Sequence, residues 1–229
     1  MRRTFLLLFC LAVVYSGYSQ AYEITDLNTL SDQFNFERNE MKDIDALYEK
    51  IEGSPFLNED FVPGDVVIND SVTIEEIPLR YDIYRDRIQF LDKRDQVLEI
   101  DLSKPITFYF DDRSFVICDY KEKAEEKRGV LELLVEGRIR LYKKYNIEFK
   151  KATKAIGFRD AQPNMFNRRE AEYFISVDNG IPEKINKKKS LIRKLKDLNP
   201  EVEDYLENRK LRLRKENELV QLIQFCNKR

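Results

Sequence analysis

Four regimes of side-chain periodicity follow one another in this sequence. Every residue from Phe5 to Val14 is apolar. Met41, Ile44, Leu47, Tyr48 and Ile51 then fall three or four positions apart, the spacing of an amphipathic helix, with Gly53 and Pro55 as its stop. Between Val66 and Ile185 short apolar segments recur with a period of two. From Leu191 onward the spacing returns to three and four.

The middle regime predicts antiparallel strands. Val66–Ile68, Val72–Ile77, Leu79–Ile83, Ile88–Phe90, Val97–Ile100, Ile106–Phe110 and Phe115–Ile117 follow one another with turns at Asn69-Asp70, Arg85-Asp86, Asp92–Asp95 and Asp111–Arg113 and no helical stretch between them. Residues 138–150 predict one long strand. Ile139, Leu141, Tyr145, Ile147 and Phe149 would line a buried face interrupted by Lys143, and Arg138, Arg140, Lys144, Asn146, Glu148 and Lys150 a wet one, with Tyr142 among them. Val130–Val135 precedes it as a hairpin partner, with the turn at Glu136-Gly137. Residues 151–171 lack a period and read as a crossing loop. Tyr173, Ile175 and Val177 alternate again, and Ile181–Ile185 returns as a partner after the Asp178-Asn179-Gly180 turn.

In the tail, Leu191, Ile192, Leu195 and Leu198 form one stripe. Asn199-Pro200 offers a cap and a first-turn proline for a second helix, in which Val202, Tyr205 and Leu206 face inward. A third starts near Glu216 and carries Leu219, Val220, Leu222, Ile223 and Phe225. The expected architecture is α+β. A signal peptide spans 1–19, and a leader with an amphipathic helix spans 20–55. An antiparallel β-meander, a sandwich or partly open barrel, spans 56–185, and a small helical region spans 186–229.

The first regime sets the expected compartment. Arg2 and Arg3 precede the apolar run, and Gly17 and Ser19 occupy the small-residue positions before a cut at Ser19–Gln20, the layout of a secretory signal peptide. Ten apolar residues are too few for a membrane span of about 20. Charge is unevenly divided. Residues 20–137 hold 14 basic and 29 acidic side chains, and residues 138–229 hold 24 and 13. The basic half could meet an anionic surface, lipid head groups above all, or the two halves could neutralise each other. Lys187, Lys188, Lys189 and Arg193 are the candidate basic surface. Nucleic acid is not expected, because this stretch interleaves no aromatics and the chain is exported. Two cysteines follow the cut, Cys118 and Cys226. Export would let a disulfide between them persist, and two separately buried thiols are the alternative.

Composition narrows the chemistry. There is no histidine, which removes imidazole-based nucleophilic catalysis and His-ligated zinc. With seven glycines and no phosphate-cradling loop, a nucleotide fold is not expected, nor is an EF-hand metal site. Carboxylate chemistry remains, and Asp82 with Asp86 or Asp111 with Asp112 are the candidate pairs for a glycoside hydrolase. All four lie at or beside predicted turns, where Asp commonly satisfies backbone N–H groups. Tyr81, Tyr84, Phe90, Phe108, Tyr109 and Phe110 could instead line a pocket for a small apolar ligand, or fill an ordinary core. Because consecutive strand residues face opposite ways, at least one of Phe108, Tyr109 and Phe110 should point away from the core, towards an interaction surface.

Gly53-Ser54-Pro55-Phe56-Leu57-Asn58-Glu59-Asp60-Phe61-Val62, Pro78-Leu79-Arg80-Tyr81-Asp82-Ile83-Tyr84, Glu132-Leu133-Leu134-Val135-Glu136-Gly137 and Leu141-Tyr142-Lys143-Lys144-Tyr145, followed by a lysine-rich helical tail, resemble a family of uncharacterised exported proteins of Bacteroidota-type bacteria. The resemblance runs from Gly53 onward. It departs at Asn69-Asp70-Ser71, where similar proteins carry a glycine-containing turn. It implies a periplasmic or outer-envelope setting, and no activity, cofactor or catalytic residue. The expectation is a non-catalytic structural, adaptor or binding module whose partner is an envelope protein, with no cofactor and no metal site. A carrier of a small hydrophobic ligand comes second and a carboxylate-dependent glycoside hydrolase third.

Overall fold

A computed structural model describes residues 48–228 apart from 70, 71, 101, 104, 156–159 and 214. The expected signal peptide, the leader and the predicted helix up to Leu47 lie outside the described residues. The expected α+β composition is found, and strands predominate.

Two antiparallel meanders make up most of one ten-stranded sheet. The first comprises β1 (Val62–Ile68), β2 (Val72–Asp82), β3 (Arg87–Leu91) and β4 (Val97–Glu99); the second comprises β5 (Ile106–Phe110), β6 (Arg113–Glu122), β7 (Glu125–Val135) and β8 (Ile139–Lys144). They join through β1 and β5, with Val66 opposite Phe108. Beyond β8 the sheet continues into β11 (Glu172–Val177) and the two-residue β12 (Glu183–Lys184). β12 also touches β6 in parallel, where the Lys121 N–H donates to the Pro182 carbonyl (2.7 Å). That contact turns β6, β7, β8, β11 and β12 into a closed ring.

Alternation along β6 and β7 builds two interiors from one wall. Phe115, Ile117 and Val130 face the core of the first meander with Leu79, Tyr81, Phe90 and Phe108. Tyr120, Leu131, Tyr142 and Phe174 fill the ring, with Val116, Cys118 and Leu133 beside them. A third cluster lies outside the ring. There Val135, Ile139, Leu141 and Ile175 meet the apolar stripes of α1 (Lys188–Lys196), α2 (Val202–Asn208) and α3 (Glu216–Asn227). The helices therefore cap one face of the sheet.

The structure corrects three readings. The single strand expected over 138–150 is two strands in two sheets. The ladders of β8 end at Glu132–Lys143 and Glu172–Lys144, so later residues have no partner there. They pair instead as β9 (Ile147–Lys150) with β10 (Met165–Arg168), inside the stretch read as a loop. The expected wet face of β8 is not wet, because ring closure buries Tyr142. Finally, β6 and β7 extend through the charged residues 119–128, where Asp119–Arg128 and Glu122–Lys127 pair across the strands. Their charge hides the period of two.

Lys143, which interrupted the apolar face, has a specific role. Its ammonium pairs with Glu216 (2.8 Å) at the start of α3, and Glu216 also accepts from the Tyr173 hydroxyl (3.1 Å). At the other end, Asn227 bonds to Ile139. Eleven helical steps span about 16 Å, and four strand steps about 14 Å. α3 thus lies antiparallel along β8, pinned at both ends.

Candidate functional site: a basic helical cap

The sequence-predicted residues scatter. Asp82 is fully buried and accepts from the Arg85 N–H (3.0 Å) and the Tyr48 hydroxyl (3.2 Å). Burial pushes its carboxyl up to about 6. Asp86 accepts from the Tyr81 hydroxyl (2.7 Å) and pairs with Lys144 (2.8 Å). Each carboxylate is committed to its own partners. Asp111 and Asp112 adopt φ of 53° and 55°, the conformation of a tight two-residue hairpin, and join β5 to β6. Neither pair lines a groove described below.

The aromatic candidates do not converge either. Tyr81, Phe90, Phe108 and Phe110 are core. Tyr84, 44% exposed, belongs to a surface cluster with Tyr48, Phe149 and Phe166. Tyr109 alone of Phe108–Phe110 points outward, 48% exposed, with Asp65 and Ser114 opposite it on the flanking strands. It is a single ring rather than a flat aromatic patch. Cys118 and Cys226 are free thiols in different clusters, and burial pushes them up to about 12 and about 11. Among the described residues no group of three or more His, Cys, Asp or Glu could hold a metal.

What the fold does bring together is positive charge on the cap. Lys187, Lys188, Lys189 and Arg193 are all exposed. The first turn of α1 contains no acid, and no side chain caps its N–H groups. The other two helices obey the dipole rule, with Glu203 and Asp204 opening α2 and Glu216 and Glu218 opening α3. Each lysine at the positive end of α1 costs about 0.3–1 kcal/mol at low salt relative to the favoured sign. Locally unfavourable choices of this kind concentrate at functional sites.

A second basic segment meets the first. The Lys188 ammonium donates to the Arg212 carbonyl (3.0 Å), which sets the exposed Arg212 beside the start of α1. Elsewhere acids neutralise the basic half: Asp86 holds Lys144, Glu122 holds Lys184, Glu183 holds Lys194 and Glu203 holds Lys196. Among the described residues none pairs with Lys187, Lys189 or Arg193. The α1 cations were legible in the sequence. Arg212 was not, because a tertiary contact places it.

Two grooves flank this surface. One, of about 170 Å³, runs between β12 and α1 and includes Lys187, Ser190 and Lys194. The other, of about 640 Å³, lies between α2 and α3 and includes Tyr205, Arg209 and Phe225. Tyr205, expected to face inward with Val202 and Leu206, is half-buried at this groove. Three chain steps separate Arg209 from Arg212, at most about 11 Å. The groove and the basic surface are therefore neighbours.

Comparison with known proteins finds no matching family model, curated protein or solved structure. Among the described residues no helix is long and apolar enough to cross a membrane.

Proposed function

We propose that this protein is an exported, non-catalytic docking module of the bacterial envelope, attached through its helical cap to an anionic envelope partner. The observation that carries this reading is the unneutralised cationic surface where the start of α1 meets the α2–α3 connection, fixed by Lys188 on the Arg212 carbonyl. Export rests on the signal-peptide layout of residues 1–19, and the resemblance from Gly53 onward supports the envelope setting. The packing of the sheet supports a scaffold role. The ring that would house a carrier's ligand is packed with Tyr120, Leu131, Tyr142 and Phe174, each no more than 5% exposed.

Sedimentation with envelope vesicles tests the proposal. The protein recovered from cells should begin at Gln20, and it should pellet with the vesicles at low salt and release at high salt as exposed charges are screened. Replacing Lys187, Lys189 and Arg193 together by Gln should leave it in the supernatant while its melting temperature is unchanged. Salt-independent pelleting, or unchanged pelleting of the variant, would overturn the docking role. An uncleaved N-terminus in the cytosol would overturn export.

A further inference from the structure

Tyr205 and Phe225 stack face to face at the junction of α2 and α3, centroids 3.9 Å apart and planes within 8°. They form part of the floor of the 640 Å³ groove. Its walls are regular. Tyr205 and Asn208 lie on one face of α2, at i and i+3, and Arg209 follows at the C-cap. Gln221, Gln224 and Phe225 lie on one face of α3, at i, i+3 and i+4, and Lys228 follows at the C-cap. The neighbouring stripe of α3, Leu219, Leu222, Ile223 and Cys226, is the one buried against the sheet. α3 therefore carries two stripes, one apolar against β8 and one polar-aromatic along the groove.

The lining has a definite chemistry. It holds two aromatic rings, three side-chain amides, two cations and no acid. The amides of Asn208, Gln221 and Gln224 and the cationic groups of Arg209 and Lys228 bond to no described residue, so all five are available to a ligand. Amides both donate and accept, which matches hydroxyl groups that do the same. Cations match carboxylates, and Arg does so with two parallel bonds. The stacked pair keeps its outer faces and ring edges for a ligand, and these suit the C–H-lined face of a sugar ring. A phosphate head group would use only the donors and make no use of the ring surface.

Building on the docking role, we infer that the groove between α2 and α3 binds an acidic oligosaccharide. Its sugar rings lie against the Tyr205–Phe225 pair, its hydroxyls meet the three amides, and its carboxylates meet Arg209 and Lys228. The adjoining Lys187–Lys189 and Arg212 surface then adds non-specific attraction for the rest of a polyanionic glycan.

The test is an NMR titration of the protein with a defined oligogalacturonate, its neutral methyl ester, oligothymidylate and phosphatidylglycerol vesicles. The oligogalacturonate should shift the side-chain amide signals of Gln221 and Gln224, and the methyl ester should bind about tenfold more weakly. Arg209→Gln with Lys228→Gln should erase that preference, and Gln224→Ala should weaken both sugars. These side chains are exposed, so the variants should melt like the parent. The inference is overturned if the acidic sugar shifts no groove signal. It is equally overturned if the ester binds as well, or if oligothymidylate or the vesicles occupy the groove as tightly. The two readings fail separately. Loss of vesicle pelleting in the α1 variant with no sugar bound in the groove would leave docking standing and remove the glycan site. Sugar binding in the groove with unchanged pelleting of the α1 variant would do the reverse.

Discussion

Asn227 satisfies both backbone groups of Ile139, 88 positions earlier. The Ile139 N–H donates to Asn227 Oδ1 (2.8 Å), and Asn227 Nδ2 donates to the Ile139 carbonyl (2.8 Å). One side-chain amide thus occupies the place a paired strand would hold, where the ladder between β7 and β8 stops at Val135–Leu141. Gly137 makes room for it, since a Cβ there would lie 2.6 Å from Asn227 Nδ2. Asn227→Ala should cost about 1–3 kcal/mol, the penalty for leaving buried backbone groups unpaired. Urea unfolding measures it, and a loss below about 0.5 kcal/mol, the range of neutral surface changes, would refute the role.

Gly129 serves a different approach. A Cβ there would meet Asp86 Oδ2 at 2.2 Å, displacing the carboxylate that Tyr81 and Lys144 hold. Gly129→Ala should destabilise by about 1–3 kcal/mol, the usual cost of overpacking. In an Asp86→Ala background the same change should cost clearly less, because the clashing atoms are gone. Equal costs in both backgrounds would show that the backbone, not Asp86, resists the side chain.

Asp82 should make the protein less stable as pH rises through mild acid. Its folded value, near 6, lies above the ordinary 3.8 because burial penalises the charge. The folded state therefore binds more protons between those values, and stability falls from pH 4 to pH 6 before levelling. The loss is of order 3 kcal/mol. Asp82→Asn keeps an acceptor for Arg85, and the Tyr48 hydroxyl can turn to accept, so the variant should lack this slope. Parallel pH profiles of parent and variant, measured by urea midpoint, would contradict it.

Glu122 should act in the opposite sense at lower pH. Hydrogen bonds from Lys127 and Lys184 hold its carboxyl down at about 2, below the ordinary 4.5. Its contribution is complete above 4.5 and is lost as pH falls towards 2. Glu122→Gln should therefore be less stable than the parent at neutral pH, with the gap closing in acid. A gap that persists at pH 2 would assign the effect to packing instead.

Period-two alternation in the sequence locates most strand segments of both meanders, and the tail's helical spacing anticipates α3 from Glu216. Such signals are local. Ring closure is not, because it depends on two residues, Glu183 and Lys184, reaching β6 from 62 positions away. Lys143 read as an interruption because its partner, Glu216, lies on a helix far along the chain. Likewise Tyr205 and Phe225 sit on apolar-looking stripes, and only the crossing of α2 over α3 turns them into a groove floor. The α1 lysines were visible because charge needs no partner to be read. Which of them stay unneutralised is a tertiary property.

The seam between β12 and β6 has a mechanical consequence. One ladder pair between Glu183 and Lys121, one backbone bond from Lys121 and the grip of Glu122 on Lys184 close the ring there, and α1 begins four positions after Lys184. Tension applied to a tethered cap would travel straight into that joint. It would part there first, exposing Tyr120 and Phe174 while both meanders stayed zipped, so a pull on the cap would open the ring before it unravelled the sheet.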